Sequence, residues 1–126
     1  MNLTSRFSIS KIVSEYTHYI FCLDFDRGKK CWLFSNAEDF EKRNKCIGTE
    51  IKKDLLNEIL KEIYRKKKYD FTVYGKCCLI ESGEFKISLN IDCELLKGSY
   101  IMLIPGWGKS YGDKIWILIP SNKLKI

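Results

Sequence analysis

The loop from Gly106 to Asp113 carries the residues best suited to contact a ligand. Its three glycines allow close approach of a partner, because glycine has no side chain beyond hydrogen. Trp107 and Tyr111 could stack on nucleobases while Lys109 meets a phosphate, as such side chains do in single-strand binders. The alternative is structural, with Trp107 folding back to plug the end of a barrel. The sequence leaves both interpretations open.

A second candidate site is a run of positive charge at the end of the longest predicted helix. The run comprises Arg65, Lys66, Lys67 and Lys68, joined by Lys61 and Lys76. Such a cluster can neutralise several phosphates and give an affinity that falls with salt. The same residues would also suit a solvated helix end, because cations interact favourably with the C-terminal end of the helix dipole.

The overall charge favours a polyanionic partner. The chain has 22 basic and 16 acidic residues, a formal net charge of +6. Residues 1–60 hold 10 basic and 9 acidic side chains, whereas residues 61–126 hold 12 and 7. We therefore expect a non-catalytic nucleic-acid-binding protein, with single-stranded DNA or RNA favoured. The alternative is a small interaction module that inhibits or regulates a protein partner and could belong to a mobile element.

No motif in the sequence assembles an active site. Gly108-Lys109-Ser110 has the end of a phosphate-binding P-loop, but Leu103 stands where the first glycine belongs. Glu84-Phe85-Lys86 with Asp70 matches the acidic pattern of a nuclease fold, yet the predicted hairpin separates the two carboxylates by ~35 Å. An enzyme therefore ranks third, and we expect no cofactor.

The cysteines indicate buried thiols and not a metal site. They are Cys22, Cys31, Cys46, Cys77, Cys78 and Cys93, and the single histidine is His18. A structural zinc site usually shows a closely spaced ligand pair, and the sequence has no C-x-x-C. Because disulfides are rare inside mesophilic cells, we expect free thiols, and intracellular disulfides become plausible only if the source is a hyperthermophile. Cys77 and Cys78 point to opposite faces of a predicted strand and should not pair.

The N-terminal residues lack the basic and then apolar pattern of a signal peptide. No apolar run approaches the ~20 residues that a membrane helix needs. We therefore expect a cytoplasmic protein that does not bind membranes.

Alternating apolar residues predict three β-hairpins, at 18–34, 71–91 and 100–120. One face of the first hairpin is rich in aromatic side chains and comprises Tyr19, Phe21, Leu23, Phe25, Trp32 and Phe34. Exposed, this face would be a stacking platform as in sheet-surface RNA binders. Covered by the predicted helix, it would be core, and we favour the core interpretation because the helix needs an apolar surface to cover.

The remaining segments predict helices and loop. Thr49 can cap a main helix that opens at Gly48-Thr49-Glu50, carries an apolar stripe from Ile51 to Tyr64 and ends in the basic run. Residues 8–16 predict a short helix, and residues 35–48 predict a loop with one helical turn around Glu38 to Lys42.

The predicted fold class is α+β, an antiparallel β-sheet or partly open barrel of about six strands with one main α-helix packed on it. Residues 1–126 should form a single domain, with the N-terminal hairpin and helix reaching to about residue 68 and a hairpin-rich part at 69–126. The segment Ile115–Ile119 is apolar on both faces, so it lies centrally in the sheet or forms the contact of a homodimer.

Overall fold

The computed structural model describes residues 3–13, 15–25, 28–65, 69–109 and 114–123. Within these ranges the chain forms eight β-strands, two α-helices and two short 3-10 helices. The strands are β1 Leu3–Val13, β2 Thr17–Phe25, β3 Gly28–Phe34, β4 Cys46–Glu50, β5 Tyr69–Ser82, β6 Lys86–Asp92, β7 Lys97–Leu103 and β8 Ile115–Pro120. The helices are α1 Ala37–Glu41 and α2 Lys53–Arg65, and the 3-10 helices span Gly106–Lys109 and Ser121–Lys123.

The strands close into one antiparallel barrel in the order β1-β2-β3-β4-β8-β7-β6-β5. Two four-stranded meanders, β1 to β4 and β5 to β8, are joined where β1 pairs with β5 and where β4 pairs with β8. Each strand therefore has a hydrogen-bonded neighbour on both sides. Closure removes the exposed edges that an open sheet would present.

The predicted α+β fold with about six strands is wrong, because the protein is mostly β and its barrel is closed. All six predicted strands form, and β1 and β4 complete the circle. β1 was predicted as a short helix because Ile9 and Ile12 are three residues apart. Successive side chains of a strand point to opposite faces, so Ile9 lies inside the barrel while Ile12 joins the outer apolar layer beside α2, and their spacing imitates that of a helix.

The other missed strand, β4, lies where the main helix was predicted to begin. Its central inward position is Gly48, and a Cβ atom there would lie 2.5 Å from the Phe34 ring. Because glycine fills the central inward position and the charged Glu50 fills the last one, no apolar alternation marks this strand. Helix α2 instead begins at Lys53. The helical turn predicted around Glu38 is confirmed as α1.

The aromatic face of the first hairpin is confirmed as core. Tyr19, Phe21, Trp32 and Phe34 point into the barrel and are buried there. Helix α2 does not cover this face, because the other strands of the closed barrel do so. The helix packs on the outer face of the same hairpin, where Leu56 and Ile59 join a smaller apolar layer.

A disulfide joins Cys22 on β2 to Cys31 on β3 within this outer layer, with the two Cα atoms 4.1 Å apart. The prediction of free thiols is therefore wrong for this pair. That prediction rested on the expected cellular compartment. It did not consider the spacing of the two cysteines in the hairpin. Cys77 and Cys78 are confirmed as unpaired neighbours, and Cys46 and Cys93 are also free thiols.

Within the described ranges, no helix combines the length and the apolar character that crossing a bilayer requires.

Candidate functional site

The two ends of the barrel differ, and the difference locates the candidate site. Because neighbouring strands run antiparallel, α1 and the β6–β7 connection lie at the same end, where β1 and β3 finish. We call this the closed end. The opposite end, where β2, β4 and β5 finish and β3 and β6 begin, carries the loop between β7 and β8. We call it the open end.

Helix α1 seals the closed end with one aromatic side chain. Phe40 is 1% exposed, and its ring lies 4.5 Å from the Tyr19 ring and 5.2 Å from the Phe34 ring. Asn36 caps this short helix by accepting the backbone N–H of Asp39 at 3.0 Å. The aromatic core of the barrel therefore continues without interruption into the plug.

A second contact ties the closed end together across the barrel. The Arg43 guanidinium donates to the backbone oxygens of Glu94 and Leu95, at 3.0 and 3.3 Å. These carbonyls belong to the connection between β6 and β7, whose Leu96 is also buried. The α1 segment is thus held to both halves of the barrel.

The open end contains a cavity of about 650 Å³, which we call the mouth. Its wall is formed by strand ends and turns around the barrel. The lining residues are Leu3, Thr4, Ser5, Asp24, Phe25, Gly28, Lys29, Lys30, Glu50, Ile51, Leu79, Ser82, Gly83, Glu84 and Ile87. Leucine, isoleucine and phenylalanine therefore share the wall with polar and charged groups. Such a mixture is typical of small-molecule sites.

The cation Lys30 occupies an inward-facing position in this wall. It is two residues before the buried Trp32 on β3 and therefore points to the same side of the strand. Its Nζ atom lies 5.9 Å from the centroid of the Phe25 ring and 6.0 Å from that of Trp116. Both distances lie within the range of cation–π attraction, which holds the ammonium group against the wall.

Glu50 is the inward-facing carboxylate of the mouth. It lies opposite Trp32 in the register of β3 and β4, and its Oε1 accepts the indole N–H of Trp116 at 2.8 Å. The Trp116 ring meets Trp32 edge to face at a centroid distance of 5.7 Å. The carboxylate is therefore fixed by a buried indole. Within the described ranges the indole N–H of Trp32 itself has no hydrogen-bond acceptor.

The predicted aromatic loop lies at the open end, but only part of it is described. Trp107 is 49% exposed in the 3-10 helix that Lys109 ends, so the alternative in which Trp107 plugs the barrel is wrong. Phe40 performs that role at the other end. Tyr111 lies outside the described residues.

The predicted basic run does not join this loop. Arg65 ends α2 just before β5 begins at the closed end, whereas Trp107 follows β7 at the open end. Lys76 is exposed on the outer wall of the barrel, opposite Arg6 on β1. Lys66, Lys67 and Lys68 lie outside the described residues. The described members of the predicted nucleic-acid site therefore do not share one surface.

Lys30 and Glu50 were not among the site residues predicted from the sequence. The alternation that placed Trp32 and Phe34 on the inward face of β3 also places Lys30 there. A charged residue in an otherwise apolar face was therefore a signal available in the sequence. Glu50 carried no such signal, because it was assigned to the start of a helix.

No three metal-ligating side chains come together within the described ranges. Comparison of the sequence with protein-family models finds no match, and comparison with curated proteins finds none. The chemistry of the mouth therefore rests on its own residues. An inward-facing cation, a positioned carboxylate and several apolar side chains are suited to binding a small molecule.

Proposed function

We propose that this protein binds a small amphipathic molecule in the mouth of its barrel. The observation that carries the proposal is a cavity of about 650 Å³ at one end of a barrel whose other end is plugged by Phe40. Eight-stranded barrels are wide enough to hold one small ligand, and typical ligand pockets measure roughly 300–1,000 Å³. Barrel mouths are among the places where such sites occur.

The position of the polar groups supports the same proposal. Lys30 and Glu50 both stand on strands that are hydrogen-bonded on each side, so their backbones are held in place. The rings of Phe25 and Trp116 further restrict the ammonium group of Lys30. Groups that are ordered before binding lose little entropy when a ligand arrives.

A neutral fluorescent probe, N-phenylnaphthylamine, tests this proposal without assuming a ligand charge. We expect saturable binding of one probe molecule to the wild-type protein. Replacement of Leu3 by tryptophan should abolish it, because Leu3 lines the mouth and its side chain is 54% exposed. The larger ring can therefore occupy the cavity without disturbing the core.

Val13→Trp is the matched control, because Val13 is 44% exposed at the other end of the same strand. This variant should retain probe binding. Absence of saturable binding to the wild-type protein would contradict the proposal, and so would equal binding by the two tryptophan variants.

Nucleic-acid binding is a second candidate, favoured by the exposure of Trp107 at the open end. A solvent-accessible indole on a rigid barrel can stack on an unpaired base. In this case a short single strand should quench tryptophan fluorescence, with an affinity that falls steeply with salt and weakens in Trp107→Ala. Quenching that is independent of salt, or unchanged in this variant, would argue against this candidate.

A protein partner or a second copy of the chain is a third candidate, and the outer face of β8 is the surface concerned. Ile117 lies between Ile47 and Leu103 on the neighbouring strands, and Ile47 is 52% exposed. A dimer formed there should dissociate in Ile47→Lys, which sedimentation velocity would detect. A monomeric wild-type protein would contradict the homodimer.

The cytoplasmic location stays a prediction. The Cys22–Cys31 disulfide is a feature more typical of oxidising compartments.

A further inference from the structure

The charge of Lys30 indicates what kind of molecule the mouth takes. A lysine directed into a barrel is unusual, because burial of an unpaired ammonium group costs free energy. Lys30 is half-buried, and within the described ranges it has no ion-pair partner. Its contacts with Phe25 and Trp116 orient the ammonium group but do not use its hydrogen-bond donors.

Glu50 does not neutralise this charge directly. The two side chains share the mouth, but no oxygen of Glu50 lies within the 4.0 Å of an ion pair with Lys30. Instead, Oε1 of Glu50 accepts the indole N–H of Trp116 at 2.8 Å. The donors of Lys30 are thus available to an acceptor supplied by a ligand, and a charged acceptor would form the stronger bond.

The carboxylates around the mouth limit how much negative charge a ligand can carry. Glu50 lies within the wall, and Asp24 and Glu84 line the exposed rim. A second cation, Lys29, is exposed on the same rim and lies opposite Asp24 in the register of β2 and β3. Three carboxylates thus face two lysines among the lining residues, so a dianion such as a phosphate monoester would be repelled more strongly than a monoanion, which needs only the inward-facing cation of Lys30. Like charges in close proximity are unfavourable, especially in a partly buried site.

Part of the wall is apolar. Leu79 and Ile87 are buried side chains that line the cavity from β5 and β6. A ligand that buried a hydrocarbon or aromatic body against them would gain about 25 cal/mol for each Å² removed from water. The mouth therefore combines an inward-facing cation with buried apolar side chains.

We propose that the ligand is an amphipathic monocarboxylate, whose carboxylate accepts hydrogen bonds from Lys30 and whose apolar body packs against Leu79 and Ile87. This inference rests on the proposed function and specifies its ligand class. Recognition depends on the charge of the head group and on the apolar body together, so alcohols and amines of the same chain length bind more weakly.

The test measures displacement of N-phenylnaphthylamine by octanoate, octanol and octylamine. Octanoate should displace the probe from the wild-type protein at the lowest concentration. Lys30→Met removes the charge and keeps an unbranched apolar side chain. We expect it to raise the octanoate concentration that is needed by about tenfold or more, since a hydrogen bond to a charged group contributes roughly 1.5–3 kcal/mol. Displacement by octanol should not change.

Lys97→Met is the charge-matched control, because Lys97 is exposed on β7 and pairs with Asp92 far from the mouth. It should leave displacement by octanoate unchanged. Equal displacement by all three compounds, or no effect of Lys30→Met, would overturn the ligand class while probe binding still supported a ligand site. Failure of the probe to bind at all would instead overturn the proposed function.

Discussion

The closed end and the open end of this barrel are built from the same eight strands, but they meet solvent differently. At the closed end, the inward-facing rings of Tyr19 and Phe34 are covered by Phe40. At the open end, the corresponding inward positions hold Lys30 and Glu50, and a cavity remains. Inward-facing aromatic rings at the end of a barrel can thus be covered by a single ring from a short helix. A charged inward position is costly to seal, because burial would remove it from water.

The largest expected effect comes from removing the plug. Phe40→Ala should lower the free energy of unfolding by about 3–5 kcal/mol, because a fully buried aromatic ring is lost and a cavity is left. Trp107→Ala at the open end should cost below about 1 kcal/mol, since about half of this side chain is exposed. Urea denaturation of both variants measures the difference.

This prediction also tests the assignment of the two ends. If Trp107→Ala were the more destabilising variant, the indole would have to be the buried plug, and the distinction between the ends would be lost.

An intermediate effect is expected at the centre of the barrel, which separates the two ends. Gly48→Ala should lower the free energy of unfolding by about 1–3 kcal/mol, because the added methyl group meets the Phe34 ring in a packed core. Gly106→Ala is the control at the open end, where an added Cβ atom has no neighbour within 4 Å. Equal stability of the two variants would show that Phe34 does not occupy its assigned place.

The smallest expected effect is a difference in the rate of alkylation between thiols that are buried to different degrees. Burial raises the pKa of Cys46 to about 12 and that of Cys77 to about 11, with nearby Asp39 and Cys78 adding to the respective shifts. Iodoacetamide at pH 8 should therefore label the half-buried Cys78 well before Cys46 in the folded protein. Mass spectrometry of tryptic peptides measures the order of labelling.

The same two shifts predict how stability depends on pH. A raised pKa in the folded state means that the unfolded chain loses its thiol protons first. The contribution of these two thiols to the free energy of unfolding is therefore complete below about pH 9. It is lost as the pH rises towards their pKa values in the folded state. Replacement of Cys46 and Cys77 by alanine should flatten this alkaline loss, and an unchanged alkaline profile would contradict it.

Most of the strands could be predicted from the sequence, because alternation of apolar side chains reports directly on a half-buried strand. The apolar residues on the inward face of the first hairpin, from Tyr19 to Phe34, were predicted individually, but Lys30 on the same face was not. Closure of the barrel was not predicted, because it depends on β1 and β4. In β1 the charged Lys11 lies opposite the inward-facing Tyr19 and the apolar Ile12 faces outward, which interrupts the apolar alternation. In β4 the alternation is hidden by Gly48.

The candidate site was harder to predict for a different physical reason. Loop residues such as Trp107 and Lys109 were predicted as site residues because their side-chain types alone suggest ligand binding, whatever the fold. Lys30 gains its significance only from the direction in which its strand faces and from the rings of Phe25 and Trp116, which are distant in sequence. Likewise, the separation of Arg65 from Trp107 follows from the path of α2 between the two ends of the barrel.

The most direct test of the account is a titration of the isotope-labelled protein with N-phenylnaphthylamine, followed by backbone amide and indole chemical shifts. We predict that the largest changes occur at the open end, at Lys30, Glu50 and the Trp116 indole, with the Phe40 amide unchanged. Largest changes at α1 or along the outer face of β8, with none in the mouth, would contradict the claim that the open end is the ligand site.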